Sequence, residues 1–232
     1  MILVCVDREK FRQQAVRYYF RTAVGIAIAV IGGVTSIEKA RAACESGNIK
    51  FSDDFSPPNP SWGPISNEVF RDRKYIMKVK PNGTEADWPS AVQFIGSYTV
   101  CANVRLPLDP TGAAGSGVLF WIDTAKNSRE GHNYYMAMMS PDGFYWIARQ
   151  VDGRLSNVME PVQGDLVKTG PNAVNEIAVS LNDNRGVLLI NNKKAGEFTG
   201  EPPSHSHAGI LAGAPLEKSY QVEFSRFRVV GP

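Results

Sequence analysis

The sequence is poor in the residues by which enzymes and metal centres are usually recognised. Its 232 residues include three histidines and three cysteines. No G-x-S-x-G motif supports Ser–His–Asp catalysis. His205 and His207 have the spacing of a strand-borne metal pair, yet no cysteine or carboxylate stands at ligand spacing beside them. We therefore expect these two histidines to lie in a solvated loop.

The chain also lacks the excess of positive charge that nucleic-acid binding requires. The formal net charge is +2. Seven basic and three acidic residues fall within residues 1–42, which leaves 18 basic and 20 acidic residues in 43–232. A domain with a net charge of −2 provides no positive electrostatic potential to neutralise phosphates, so we expect no nucleic-acid partner.

Long hydrophobic runs are missing, apart from one short apolar segment near the N-terminus. Residues 22–36 (TAVGIAIAVIGGVTS) are apolar and small, and they follow a basic, polar region. Ala40-Arg41-Ala42 then supplies an A-x-A cleavage site. The pattern predicts a signal peptide over 1–42 and a mature domain over 43–232, periplasmic or secreted, with no membrane span after cleavage. The alternative is an uncleaved anchor, although the run is shorter than the roughly 20 residues that span a bilayer.

Two cysteines remain after the predicted cleavage. Cys44 and Cys101 are an even count in an oxidising compartment, which predicts a disulfide between them. The alternative is two unpaired thiols, with Cys101 buried as a small hydrophobe.

After residue 42 no long segment repeats its apolar residues every 3.6 positions, so helices are not predicted. Residues 115–153 instead predict three antiparallel strands, GVLFWID, NYYMAMM and FYWIARQV, separated by TAKNSREG and by the Pro-Asp-Gly turn. Further strands are predicted near both ends of the chain, whereas residues 85–89 and 157–172 are predicted as loop. Short strands at regular spacing indicate an all-β fold, a two-sheet antiparallel sandwich.

The same residues carry a family resemblance. Gly117-Val-Leu-Phe-Trp-Ile-Asp123, Asn133-Tyr-Tyr135, Asp142-Gly-Phe-Tyr145 and Asp152-Gly153 resemble the central sheet of concanavalin A-like lectin/glucanase jelly rolls, especially the laminin-G-like and 3-keto-disaccharide-hydrolase-like (DUF1080-like) exported domains. FSDDFS at 51–56 and VEFSRFRVV at 222–230 extend the resemblance over residues 51–230. It implies a concanavalin A-like jelly roll that binds polysaccharide or glycoconjugate. The alternatives are a glycoside hydrolase of the 3-keto-disaccharide type and a non-enzymatic cell-envelope or adhesion protein.

Aromatic residues crowd the central strands, and flat sugar faces stack on such rings. Alternation divides each strand into two sets, and a shift of one residue exchanges core and surface. We expect Phe120 in the core, and an open carbohydrate-binding face formed by Trp121, Asp123, Tyr135, Tyr145 and Arg149. The opposite set contains Tyr134, Met136, Met138, Phe144 and Trp146. The competing interpretation is that most of these rings form the sandwich core.

Glycoside cleavage usually needs two carboxylates that flank the scissile bond. The E-x-D-x-x-E motif of laminarinase-like glucanases is absent, and Asp142 and Asp152 are typical turn residues. Asp123 with Glu130 is the remaining pair. We therefore predict binding without catalysis and name no catalytic residue; any activity would be that of a glycoside hydrolase.

The resemblance also implies a calcium site on the convex side. Asp53 and Asp54 match the opening-strand ligands, whereas Ser225, followed by Arg226, stands where the closing strand would carry Asp. Losing a carboxylate and gaining a cation weakens a site for a hard cation. No other cofactor is predicted.

Overall fold

The computed structural model describes most of the chain from residue 44 onward. It covers residues 44–45, 47–62, 68–107, 114–128, 131–214 and 217–232, with backbone alone for 68, 69 and 126–128. The predicted signal peptide over 1–42 and the candidate acid Glu130 lie outside the described residues. In the described part, no helix has both the length and the apolar character to cross a membrane.

The described residues form fourteen strands, in keeping with the alternating apolar pattern and the many turn residues. They are β1 (Asn48–Asp53), β2 (Glu68–Arg71), β3 (Lys74–Val79), β4 (Thr84–Asp87), β5 (Tyr98–Arg105), β6 (Gly115–Ser128), β7 (Gly131–Met139), β8 (Phe144–Val151), β9 (Arg154–Gln163), β10 (Val174–Asn182), β11 (Arg185–Ile190), β12 (Lys193–Thr199), β13 (His207–Gly213) and β14 (Tyr220–Gly231).

These strands make two antiparallel sheets. The eight-stranded sheet has the order β12-β11-β10-β5-β14-β3-β2, with β1 also paired to β14. The six-stranded sheet has the order β4-β13-β6-β7-β8-β9, so the three predicted central strands β6, β7 and β8 are neighbours. The all-β, two-sheet antiparallel sandwich is therefore confirmed.

One hydrophobic core fills the space between the sheets. The six-stranded sheet contributes Val118, Phe120 and Ile210, and the eight-stranded sheet contributes Tyr75 and Phe224, all fully buried. Aligned sheets pack about 10 Å apart, so side chains of this size interdigitate across the gap. A second apolar cluster lies on the opposite, outer face of the six-stranded sheet.

Two predicted loops are strands. β4 is the short, polar sequence TEAD, and it forms because its backbone pairs with β13, from Thr84 opposite Gly213 to Asp87 opposite Ile210. β9 is the exposed edge strand beside β8, with an irregular register near Pro161. Proline is tolerated at such an edge irregularity because no inner ladder hydrogen bond is lost. Tertiary pairing outweighs weak local propensity in both cases.

The predicted disulfide is confirmed. Cys44 and Cys101 are bonded, with Cα atoms 6.5 Å apart. Both are buried beside Ala178 and Leu189 on the outer face of the eight-stranded sheet. The bond therefore ties the N-terminal arm to β5, one of the inner strands of that sheet.

Candidate functional site

Strand register shows which residues share the outer face of the six-stranded sheet. Residues directly opposite in an antiparallel pair point to the same side. Leu119 pairs with Met136, and Met136 pairs with Ala148. Met138 pairs in the same way with Trp146. These rows form an apolar floor on the side of the sheet that faces away from the core.

Trp146 lies across this floor because glycine makes room for it. A Cβ atom added to Gly115 would stand 2.6 Å from Cη2 of Trp146 and 3.2 Å from Cε of Met138. The indole therefore extends from β8 over β7 to β6. Any side chain at residue 115 would push the ring away, since carbon atoms do not approach so closely.

Trp88 covers the floor from the opposite side. It follows β4 directly, and a Cβ atom added to Gly209 of β13 would stand 2.7 Å from the Cβ of Trp88. Its ring packs perpendicular to the imidazole of His132 on β7, with centroids 5.4 Å apart and an interplanar angle of 88°. The second indole thus extends over β13 and β6.

The two indoles together explain why the floor is shielded from water. The floor residues are 0–6% exposed, whereas Trp88 and Trp146 pack against them and remain partly exposed. Each indole is therefore partly buried against the floor and partly open to solvent. We refer to Trp88 and Trp146, with the floor that they cover (Leu119, Ile122, Tyr134, Met136, Met138, Ala148 and Leu211), as the tryptophan platform.

Polar groups border the platform on two sides. The hydroxyl of Tyr134 donates to Oε1 of Gln150 at 3.1 Å, and Nε2 of Gln150 donates to the carbonyl of His132 at 3.3 Å. At the edge strand β9, Nδ2 of Asn157 donates to Oε2 of Glu160 at 3.0 Å. The apolar centre is therefore flanked by groups that can donate and accept hydrogen bonds.

His132 is a titratable group that contacts an indole of the platform. Burial lowers the pKa of His132, and the nearby His207 lowers it further, while Asp123 opposes the shift. The imidazole therefore stays neutral down to a lower pH than an ordinary histidine side chain does. A neutral ring packs against the Trp88 indole without the cost of desolvating a cation.

The floor of the platform carries no carboxylate among its described side chains. Glu160 stands at the β9 edge, where Asn157 holds it. Cleavage of a glycosidic bond needs two carboxylates about 5–10 Å apart across that bond.

Three predicted site residues lie in the core, so their expected placement on an open face is wrong. Trp121, Tyr135 and Tyr145 are 3%, 4% and 6% exposed and belong to the main cluster. Tyr135 pairs with Phe120 and Tyr145 with Met139, which puts both tyrosines on the core side. The prediction chose the wrong one of the two alternating sets, and Trp146 and Tyr134 of the other set belong to the platform.

Trp121 breaks the alternation through a local irregularity. The register of β6 shifts between Phe120 and Asp123, and Trp121 has a φ of 48°. Such a bulge turns two consecutive side chains to one face. Phe120 and Trp121 therefore both enter the core, with ring centroids 5.5 Å apart.

Arg149 and Asp123 lie at one end of the sandwich. Arg149 stands over the ring of Tyr135, 5.6 Å from its centroid, and its Nη2 pairs with Glu201 at 3.0 Å. Asp123 is partly exposed and lines a cleft of about 550 Å³ that we call the end cleft. The end cleft is also lined by Gln93, Thr124, Ala125, Pro203, Ser204 and His205.

A second cleft of about 380 Å³ shares Pro203 and Ser204 with the end cleft, and Trp121 contributes to its wall. Deeper in this wall, the hydroxyl of Tyr98 accepts a hydrogen bond from the backbone N–H of Trp121 at 3.3 Å. Burial raises the pKa of Tyr98 to about 12, although hydrogen bonds with Ser206 and Trp121 oppose the shift. Since Trp121 is 3% exposed, it offers very little open surface to this cleft.

The two carboxylates of the expected calcium site have other partners. Asp53 is buried, and it accepts hydrogen bonds from the N–H groups of Phe55, Asn59 and the indole of Trp62 at 2.6–2.8 Å. Asp54 is exposed and pairs with Arg73. Within the described residues no three His, Cys, Asp or Glu side chains are grouped to hold a metal ion. The residues present do not fit calcium, because the oxygens of Asp53 are engaged by N–H donors.

Comparisons with known proteins identify the fold. No protein-family model and no curated protein matches the sequence. Among solved structures, a protein of unknown function with a galectin-like fold from Bacillus subtilis is 11% identical, with a TM-score of 0.61 over 79% of this chain and 96% of that one. The fold is a concanavalin A-like jelly roll.

Two further structures share this jelly roll. The carbohydrate-binding module CBM66 from Bacillus subtilis is 10% identical, with a TM-score of 0.59 over 74% of this chain and 96% of that one. The catalytic domain of an endo-1,3-β-glucanase (laminarinase) from Thermotoga petrophila is 8% identical, with a TM-score of 0.59 over 80% of this chain and 98% of that one. At these identities the similarity establishes the fold alone, since one fold hosts many functions.

Sequence reasoning missed both tryptophans of the platform. Trp88 lies in a segment that is predicted as loop, and nothing in the local pattern Glu85-Ala-Asp-Trp-Pro predicts that β4 pairs with β13. Trp146 belonged to the alternating set that was not chosen. Gly115 on β6, two strands away from β8, is the available signal, since a glycine within a strand marks a close approach of another group.

Proposed function

We propose that this jelly roll binds carbohydrate on its tryptophan platform. The observation that carries the proposal is the pair of partly exposed indoles, Trp88 and Trp146, that lie on the outer face of the six-stranded sheet. Indole faces are large, rigid and apolar, and they suit the flat C–H faces of sugar rings. Asn157 and Glu160 at the border supply partners for hydroxyl groups.

The side chains of the tryptophan platform support binding of carbohydrate without hydrolysis. The floor has methionine, leucine and alanine side chains where a hydrolase would need paired carboxylates. The solved structures of similar fold include a carbohydrate-binding module and β-glucanases. Neutral β-glucans are therefore the first saccharides to test.

We further propose that the protein acts outside the cytoplasm. The Cys44–Cys101 disulfide supports this placement, because structural disulfides persist in oxidising compartments. Export would depend on the signal peptide that the sequence predicts over residues 1–42. A periplasmic or secreted protein would meet polysaccharide or glycoconjugate as its partner.

The proposal is tested by glycan-array and calorimetric binding of the wild type beside Trp88→Ala and Trp146→Ala. An indole face that covers about 50 Å² of sugar surface contributes roughly 1.3 kcal/mol, so each variant should lose about tenfold in affinity. Ile49→Ala is the matched control, because Ile49 is 55% exposed on the other sheet. Trp146→Phe keeps a ring, and we expect it to lose less affinity than Trp146→Ala.

Three outcomes would contradict the proposal in different ways. Release of reducing sugar would make the protein a glycoside hydrolase and would direct attention to Asp123 and Glu130. Equal affinity of the wild type and both tryptophan variants would move the site away from the platform. Absence of binding to every saccharide would support the envelope or adhesion alternative, with the tryptophans closing the outer face as a structural layer.

A further inference from the structure

The end cleft opens where the tryptophan platform stops. β13 begins at His207, which pairs with Ile122 of β6. The next residues of β6, from Asp123 to Ala125, line the end cleft opposite the Pro203–His205 loop. The cleft therefore occupies the layer of the six-stranded sheet just beyond the start of β13.

Specific contacts connect the end cleft to the platform. Asp123 pairs with Asn133, which is adjacent in sequence to His132, and the Trp88 indole packs on the His132 ring. His207 lies on the same boundary. Its Nε2 is 3.4 Å from the hydroxyl of Thr124, and its Nδ1 is 2.7 Å from the carbonyl of Val92. These contacts fix the position of the end-cleft walls relative to Trp88.

The polar groups of the end cleft suit a neutral polyhydroxylated ligand. Asp123 supplies a carboxylate, Gln93 an amide, Thr124 and Ser204 hydroxyls, and His205 an imidazole. The set contains both donors and acceptors, as vicinal hydroxyl groups require. The backbone N–H of Ala125 donates to Oδ1 of Asp123 at 3.1 Å, which orients the carboxylate.

We propose that the end cleft is a second saccharide subsite, reached by the part of a chain that extends past Trp88, and that Asp123 is its specificity-determining residue. This inference rests on the proposed binding of carbohydrate at the platform. The carboxylate accepts hydrogen bonds from a pair of sugar hydroxyls, and it repels a sugar acid at the same position, which is discrimination by like charge. The protein should therefore prefer neutral chains long enough to cover both the platform and the cleft.

The test is isothermal titration with β-1,3- and β-1,4-linked gluco-oligosaccharides of two to six sugars, on protein expressed from the full-length coding sequence. We expect the wild-type affinity to rise with chain length up to the hexasaccharide. Asp123→Asn should weaken hexasaccharide binding about tenfold, the worth of one charge-assisted hydrogen bond, and leave disaccharide binding unchanged. Asparagine retains the oxygen that accepts from Ala125, so the fold is preserved.

Asp152→Asn is the matched control. Asp152 is an exposed turn residue at the same end of the sheet, and the chemical change is identical. A second readout uses the same hexasaccharides with their primary alcohols oxidised to uronates. The wild type should bind these acids more weakly than the neutral chains, and Asp123→Asn should reduce that difference, which a merely structural role would not do.

The possible failures are distinguishable. If the wild type binds no oligosaccharide of any length, the proposed function fails and this inference fails with it. If the wild type binds and Asp123→Asn behaves like Asp152→Asn, the second subsite alone is refuted. An equal loss for disaccharide and hexasaccharide would place Asp123 at the platform and would also refute the separate subsite.

Discussion

Replacing Trp121 by alanine separates a core residue from a ligand-binding residue. The Trp121 side chain is 3% exposed. Its ring lies 5.5 Å from Phe120, 5.1 Å from Tyr135 and 6.0 Å from Phe198, measured between centroids. Removal of a fully packed indole costs about 3–5 kcal/mol in the free energy of unfolding, because transfer and cavity effects add. A loss of that size is a large part of the stability of an ordinary domain.

The measurement is urea denaturation followed by circular dichroism, with Trp146→Ala as the comparison. Trp146 is partly exposed, so its removal should cost less, about 1–2 kcal/mol. Saccharide affinity is then measured in the absence of denaturant and normalised to the folded fraction. We expect Trp121→Ala to bind like the wild type and Trp146→Ala to bind more weakly.

The reverse pattern would refute the structural reasoning. If Trp121→Ala kept the wild-type free energy of unfolding and lost saccharide binding, the ring would face a ligand and the register of β6 beyond Phe120 would be wrong. The positive φ at Trp121 is the feature on which the assignment depends. An intermediate result in both assays would mean that a ligand reaches the cleft whose wall Trp121 shares with Tyr98.

Three more predictions follow from contacts elsewhere in the molecule. Cys44→Ser should lower the free energy of unfolding by about 4 kcal/mol by the loop-entropy relation for a separation of 57 residues, and a reductant should destabilise the wild type but not the variant. Gly115→Val should displace the Trp146 indole and weaken saccharide binding about tenfold, whereas Gly213→Val, where an added Cβ meets nothing closer than 3.8 Å, should not. The pKa of His132 is lower in the folded state, so the unfolded state binds more protons at this residue. The free energy of unfolding should therefore fall as the pH drops below 6.5, the ordinary pKa of histidine, and should level off below the folded-state pKa. His132→Gln should flatten this dependence in urea titrations at several pH values.

The architecture was accessible from the sequence because local signals agreed with one another. Strand-forming residues alternate across β6, β7 and β8, and Gly and Asp mark the turns between them. The disulfide followed from cysteine count and predicted compartment. Each of these inferences uses information that lies within a few residues or in the composition of the whole chain.

The site was less accessible because it depends on register and on a pairing between distant segments. A period of two yields two equivalent sets of side chains, and nothing local states which set faces the second sheet. Tyr135 was therefore exchanged with Tyr134, and Tyr145 with Trp146. Trp88 reaches the platform only because β4 pairs with β13, which is more than 100 residues away in the chain.

The platform also links stability to binding through the same two rings. An apolar floor of seven side chains is too large to leave exposed without inviting association. Trp88 and Trp146 cover this floor while remaining partly exposed, and their exposed parts provide the surface that we propose a sugar contacts. Truncation to alanine removes both effects at once, so a loss of binding in those variants does not by itself distinguish a lost stacking surface from a disordered floor. Phenylalanine covers part of the floor and retains a flat ring, so a graded series from tryptophan through phenylalanine to alanine separates the two contributions. If affinity follows ring area while the free energy of unfolding changes little between tryptophan and phenylalanine, the outward face of the indole is the recognition element.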